Sequence, residues 1–386
     1  MTSTEWRTTL GLSAVYALRM FGLFMVLPAF APFAARMEGG ELALLVGLAL
    51  GVYGLTQAVC QIPFGMASDR FGRKPVIVAG MLIFAAGSWL AGSSETIAGL
   101  IAGRALQGAG AISAAVSALV ADSTRPQVRT MAMAILGAGM GASFVVALVA
   151  GPPVAGWIGV DGILTAAGWL SLVAVAVVIW VVPPAPQVET ASARLGPVLR
   201  NTELWQLNAG IFLLHALLTA SFMLFPERFE RLLALDLAGQ WKLYLPVMLL
   251  SLVVVLPAIR WADLNNRVRE LLVVAVFGLL GASILLALGE SAAPLLLAGV
   301  LLYFMAFNYL EGALPSLVSR RAPEASRGAA MGLYATSQFL GAFCGGLLGG
   351  LASGADAPGF WLLAALPLLW CTFAYRLPRE RSPATI

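Results

Sequence analysis

Twelve continuous apolar segments, each about 17–25 residues long, constrain what this chain can fold into more than any other feature of its sequence. They lie at Thr9–Phe33, Leu44–Ala67, Pro75–Ala91, Ile97–Ala121, Thr130–Pro153, Gly162–Val182, Trp205–Pro226, Trp241–Ala262, Leu271–Leu288, Pro294–Val318, Gly328–Ala352 and Gly359–Tyr375. Only 11% of the 386 residues are charged and 60% are hydrophobic, whereas a soluble domain carries roughly 25% charged residues. So apolar a chain cannot clothe a globular surface in polar groups and must use lipid as part of its solvent. Lipid admits only helices or closed barrels, because every backbone polar group needs an internal partner. A barrel would show alternating strands of roughly ten residues, so the unbroken segments predict an all-α membrane protein. The first segment runs on into further spans and reads as a retained helix, not a cleaved leader. Cys60, Cys344 and Cys371 fall inside apolar segments, and with a single histidine in the chain they predict neither a disulfide nor a metal site.

An even number of spans puts both termini on one side. One set of loops and ends, from Arg7 and the Arg70, Arg73, Lys74 turn to Arg376, Arg379 and Arg381, holds 17 of the 23 basic residues. The other set holds Arg36, Arg228, Arg231 and Lys242, while Arg19 and Arg104 lie within spans. The positive-inside rule therefore predicts cytoplasmic termini. The longest cytoplasmic connection divides the chain into a six-helix bundle at residues 1–182, a linker at 183–204, a second bundle at 205–376 and a tail at 377–386. The halves repeat. Phe24-Met25-Val26-Leu27-Pro28 matches Phe222-Met223-Leu224-Phe225-Pro226 at an offset of 198, and Leu119-Val120, Arg129 and Met133 match Leu317-Val318, Arg327 and Met331 at the same offset. Asp69 and Arg73 match Asp263 and Arg267 at an offset of 194. Parallel six-helix repeats place a binding site near the midplane between the halves.

The sharpest motif is Gly65-Met66-Ala67-Ser68-Asp69-Arg70-Phe71-Gly72-Arg73-Lys74-Pro75. Asp69 ends one helix, Gly72 permits a tight reversal and Pro75 suits the start of the next helix. Asp69 and Arg73 are near enough in sequence to pair across the turn. The segment resembles motif A of the major facilitator superfamily, with every defining position present; a plain basic turn is the alternative. Arg104, Gln107 and Gly108 resemble motif B of that superfamily's drug–proton antiporter branch. An arginine inside an apolar helix is costly unless paired or hydrated, so Arg104 either serves the site, snorkels to the outer interface or makes a structural hydrogen bond. Gly151-Pro152, after Gly137, Gly139 and Gly141, resembles the antiporters' motif C; close helix packing is the alternative. The resemblance implies a charge cluster of Asp69, Arg73 and Asp122 that latches the cytoplasmic side, set against the start of helix 11 near Gly328–Gly332, with Asp263 and Arg267 as a weaker copy.

Glu311 is the only acidic residue well inside a span. A carboxyl withdrawn from water is suited to carry a proton reversibly. Arg19 lies at comparable depth in helix 1, and the resemblance implies that helices 1, 4, 7 and 10 line the cavity, so the two residues are expected to meet; a permanent structural pair is the other reading. His215, the only histidine, is either a proton relay or a buried group bonded to a carbonyl. Tyr53-Gly54-Leu55-Thr56-Gln57-Ala58, Gln61-Ile62-Pro63-Phe64-Gly65, Asn308-Tyr309-Leu310-Glu311 and Tyr334-Ala335-Thr336-Ser337-Gln338 look like the YajR-type subgroup of the antiporter-like transporters, across nearly the whole membrane region. Some proteins of that subgroup carry a soluble domain after the last helix, and none is expected here. The resemblance implies a proton-coupled transporter of the bacterial inner membrane exporting a small amphipathic or organic compound, with Tyr53, Gln57, Gln61, Asn308, Tyr334 and Gln338 lining its cavity. Proton symport of a metabolite and lipid translocation are the alternatives. Small molecule, protons and bilayer are the expected partners, a monomer the expected state, and no cofactor or nucleic acid is expected. No phosphate loop, zinc motif or nucleophile–base set argues for an enzyme.

Overall fold

The computed structural model describes residues 1–183, 195–323, 326–354 and 359–376. Helix α1 (Ser3–Met25) opens on a capping box: the Thr2 hydroxyl accepts from the Glu5 N–H, and the Glu5 carboxylate accepts from the Thr2 N–H at 2.6 Å. Then come α2 (Ala43–Phe71), α3 (Arg73–Gly92) and α4 (Ile97–Asp122). One unbroken run, Pro126–Ala176, continues as a π-helical turn at Val177–Val181. Within it Gly159 has φ 76°, a left-handed value that divides the run into α5 (126–158) and α6 (160–181). After the short helix Leu195–Leu199 follow α7 (Thr202–Leu233), α8 (Trp241–Leu264), α9 (Val268–Leu288), α10 (Ala293–Arg321), α11 (Arg327–Ala352) and α12 (Gly359–Ala374). Ten segments are long and apolar enough to span a bilayer; dividing the 126–181 run at Gly159 and adding the shorter α12 gives twelve membrane helices among the described residues. Trp157 and Trp180, 84% and 77% exposed, stand at the end of α5 and the end of α6, as membrane-interface tryptophans do.

Three expected boundaries differ. The first segment breaks at Val26 and resumes as a separate helix, Leu27–Ala34, because Pro28 in its first turn has no N–H to continue the ladder. The fourth is interrupted at residues 110–112, where Gly110 approaches the Gly80 carbonyl too closely to leave room for a side chain. The fifth does not stop at Pro153. Its helix carries both prolines and ends at Gly159 instead. Residues 184–194 of the linker and the 377–386 tail lie outside the described residues.

The chain forms two compact units, one holding α1–α6 with Leu237–Trp241, the other α7 and the helices from Lys242 onward. In the first, Gly139 of α5 packs on Ser13 of α1, Gly151 on the Met25 carbonyl, and Gly22 of α1 on Ala167 of α6. In the second, Gly341, Gly345 and Gly349 recur every four residues along α11 and lie against Phe212, Ala216 and Ala220 of α7, while Gly210 meets Trp370 of α12. The first helix of each unit is thus gripped by its fifth and sixth through small residues, the way membrane helices approach closely without a hydrophobic drive between them. Gly137 and Gly141 face open space and take no part. The second unit is further filled by aromatic rings: Phe225 stacks on Phe229 at 5.2 Å and meets Tyr303 edge-on at 5.7 Å.

Candidate functional site

The α2–α3 turn has Gly72 at φ 92°, where a side chain would be strained. This reversal brings Arg73 back over the end of α2, where it pairs with Asp69 and donates to Ser68 Oγ at 2.7 Å. Its Nε donates to Asp122 Oδ2 at 3.0 Å, so Arg73 is the hub joining the α2–α3 turn to the end of α4. Arg73 and Asp122 are 12% and 19% exposed, Asp69 45%. Gly65 supports the turn through its carbonyl, which accepts from Ser68 Oγ at 2.7 Å; Arg70 turns away and covers the Phe71 ring at 5.3 Å.

Two neighbours of this cluster were not singled out from the sequence. Lys74 Nζ donates to the Val182 carbonyl at 2.7 Å, capping the end of α6. Glu5, buried at the start of α1, accepts from Arg125 Nε at 2.8 Å and from the Arg125 backbone N–H at 3.1 Å. The Thr2-x-x-Glu5 spacing is a capping-box signal, and it could have drawn attention to Glu5. A cleft of about 390 Å³ beside it is lined by Thr4, Glu5, Thr8, Asp122, Ser123, Thr124 and Arg125, but both its acids are already held by arginines.

The second unit repeats these links with altered chemistry. Asn266, at φ 53°, stands where the first turn has Gly72, at the 194-residue offset. Asp263, however, pairs with Arg320 at 3.4 Å, not with Arg267 as the repeat suggested. Arg320 lies 198 residues after Asp122, so the same two places are linked with the charges exchanged. Likewise Glu203, 198 residues after Glu5, pairs with Arg321 at the end of α10.

Within the spans of the first unit, Arg19 is 1% exposed. Its Nη2 donates to Tyr53 OH at 3.0 Å and Gln57 Oε1 at 2.7 Å. Gln57 continues to Gln61 Oε1 at 3.2 Å, so these residues form one network with Arg19, buried among α1, α2 and α4. Arg104 is 3% exposed and does not snorkel: Nη1 donates to Gln107 Oε1 at 2.8 Å, Gln107 donates to Ser88 Oγ, and the guanidinium lies over the Tyr53 and Phe30 rings at 5.1 and 5.5 Å. Gly108 lets α4 close on the Tyr53 carbonyl of α2, and Gly151-Pro152 lies within α5 against α1.

In the second unit Gln338 bridges His215 and Glu311. Its Nε2 lies 2.8 Å from His215 Nε2 and 3.4 Å from Glu311 Oε1, and His215 Nε2 is 3.8 Å from Glu311 Oε2. The Glu311 side chain is 37% exposed and that of His215 10%. Asn308 is engaged elsewhere, donating to Ser251 Oγ of α8 at 2.7 Å. Tyr334 is buried, and its hydroxyl makes no hydrogen bond among the described residues. Arg19 and Glu311 belong to different units: Tyr53 and Gln57 hold the first within its own unit, and Gln338 and His215 flank the second within the other.

This architecture matches known proteins along its whole length. A family profile described as Major Facilitator Superfamily matches residues 12–346. The inner membrane transport protein YajR of Escherichia coli (strain K12) is 42% identical over 382 residues, covering 97% of this chain and 84% of that protein. The crystal structure of a D-xylose-proton symporter superposes with a TM-score of 0.76 at 15% identity, over 96% of this chain and 98% of the symporter. That of the human organic anion transporter MFSD10 does so with a TM-score of 0.72 at 18% identity, over 97% and 100%. At those identities the two structures speak for the fold alone. The chain is therefore a multi-pass membrane transporter, not an enzyme, and belongs to the Major Facilitator Superfamily.

Proposed function

We propose that the chain is a proton-coupled transporter working by alternating access, that it exports a small amphipathic or organic compound in exchange for protons, and that Glu311 carries the proton. The observation behind this reading is the grouping of Glu311, Gln338 and His215. The one acid deep in a span stands beside the one histidine, with 37% of its side chain open and its Oε2 without a hydrogen bond among the described residues. Two conformations that surround one carboxyl differently hold its proton with different strength, which is the requirement for coupling. Arg19 is the partner we assign to Glu311 in one of them. Asn308, Tyr334 and Gln338, with Tyr53, Gln57 and Gln61, supply the polar contacts to the compound. The cluster of Asp69, Arg73 and Asp122 serves as a latch on the cytoplasmic side, where the arginine distribution puts both termini.

The test uses proteoliposomes with an imposed pH gradient and a compound found by thermal-shift screening at two pH values. Glu311→Gln carries no proton and should exchange the compound without accumulating it, whereas His215→Gln should retain accumulation. Uphill transport by Glu311→Gln at the wild-type level would remove Glu311 from the coupling step. A second reading, proton symport of a metabolite, is favoured by one observation: both charges within the first unit's spans are positive.

A further inference from the structure

Arg19 and Arg104 are both buried in the first unit beside Tyr53, with guanidinium centres 6.0 and 5.1 Å from its ring. No acidic residue lies within that unit's apolar spans. The hydrogen bonds that the two arginines make go to neutral oxygens, Tyr53 OH, Gln57 Oε1 and Gln107 Oε1. A guanidinium has five N–H donors and stays charged. Nη2 of Arg19 is engaged, while its Nε and Nη1, and Nε of Arg104, bond to nothing among the described residues. Water can satisfy such donors but leaves the charge uncompensated, and an uncompensated buried charge is strongly destabilising. Intramembrane charges mark substrate or ion pathways.

The geometry points to an organic anion, most simply a monocarboxylate, as the transported compound, with Arg19 as its charge anchor and Arg104 as the second positive charge of the site. Aromatic rings surround the guanidiniums: Phe84 at 5.3 Å from Arg19, Phe30 at 5.5 Å from Arg104, and Tyr53 near both. The N–H donors left without a hydrogen bond among the described residues remain for the ligand, and guanidinium donors fit the oxygens of a carboxylate. The aromatic surroundings suit an anion with an apolar body better than a strongly hydrated inorganic one. An organic cation would meet two positive charges and no acid within this unit's apolar spans. At 1% and 3% exposure the arginines admit a ligand only when the bundle opens during the transport cycle. This inference rests on the transporter reading but not on the direction of transport.

The experiment is a thermal-unfolding titration of the purified full-length protein at constant ionic strength. Aromatic and aliphatic monocarboxylates are compared with their primary amides and with amines of the same skeleton, and chloride is varied in a separate arm. At least one carboxylate should raise the midpoint in a saturable way while its amide and amine do not. Arg19→Gln should weaken that response tenfold or more, and Arg19→Lys should retain part of it. Amides or amines that stabilise as well as carboxylates, or no carboxylate response into the millimolar range, would overturn the assignment. So would a chloride response equal to that of the carboxylates, which leaves a structural anion site only. The comparison of ligand classes on the wild-type protein stands even if a variant does not fold. Proton-driven accumulation in liposomes is measured separately: a carboxylate that binds through Arg19 but is not accumulated refutes proton coupling and leaves the anion site in place.

Discussion

Arg73 and Asp122 offer the most direct test of whether the motif A cluster stores conformational energy. The perturbation is a double-mutant cycle of Arg73→Gln, Asp122→Asn and the pair. Charges about 4 Å apart attract by about 4 kcal/mol at an effective dielectric constant near 20. Both side chains are mostly buried, at 12% and 19% exposure, so solvent screens the pair only in part, but desolvating them offsets part of the attraction. Asp69 also shares Arg73 and holds some of its charge when Asp122 is lost. A coupling of about 1–2 kcal/mol remains, in line with hydrogen bonds to charged groups. Were the link present in only one conformation, this would shift the population about 5–30-fold. Spin labels across the cytoplasmic mouth read that population, and thermal unfolding in detergent reads the stability. Each single variant should move the distance distribution toward an open cytoplasmic side, and the double variant should move it no further than the larger single. Single effects that add to within about 0.3 kcal/mol would mean that the two residues do not act together. Unchanged distances with lowered stability would reduce the cluster to a folding turn.

Asp69→Asn should act in the same direction but more weakly, because Asp69 is 45% exposed; turnover in proteoliposomes measures it. Gly345→Val should lower the unfolding midpoint, with an overpacking penalty of about 1–3 kcal/mol, since a Cβ there meets the Ala216 backbone; Gly141→Ala, facing open space, should leave it unchanged. For topology, a single cysteine at Ser291 should be labelled by an impermeant reagent added outside intact cells, and one at Ser192 should not; the reverse pattern would invert the assignment from the arginine distribution.

How far the sequence foretold the structure depended on the range of the forces involved. Membrane helices announce themselves, because twenty apolar residues have few other ways to satisfy their backbone, and the arginine-bearing turns between them were equally plain. Helix breaks were harder. Pro152 and Pro153 read as a terminus, yet the helix runs through them, whereas Gly159, one glycine among many, is where the backbone turns left-handed. In the site, Asp69 and Arg73 were legible because they share a turn, whereas Asp122 entered only through the resemblance to motif A; that Arg19, Arg104 and Glu311 lie within apolar segments was plain. That Gln338 stands between His215 and Glu311 was not, for it depends on the rotation of α7, α10 and α11 about their axes, to which a uniformly apolar helix gives little clue. The bond from the Asn308 amide to Ser251 of α8 was equally hidden, for the same reason.

The two units retain the same connections where they have not retained the same residues. Each ties its second-to-third helix turn to the end of its fourth helix, by Arg73–Asp122 in one and Asp263–Arg320 in the other. Each also ties the start of its first helix to the region where its fourth ends, by Glu5–Arg125 just past α4 and by Glu203–Arg321 at the last residue of α10. What persists is an attraction between two places in the fold; which place carries the acid has been exchanged in the first link. Coulomb attraction is indifferent to that exchange, but motif recognition is not, so a search for Asp and Arg at motif A spacing finds Asp263 and Arg267 and misses the partner that Asp263 takes. The two links differ in burial as well: Asp263 and Arg320 are about half exposed, Arg73 and Asp122 mostly buried. Screening by water and salt should therefore make the second link the weaker one. Of the two links, the one joining α2, α3 and α4 is then the stiffer.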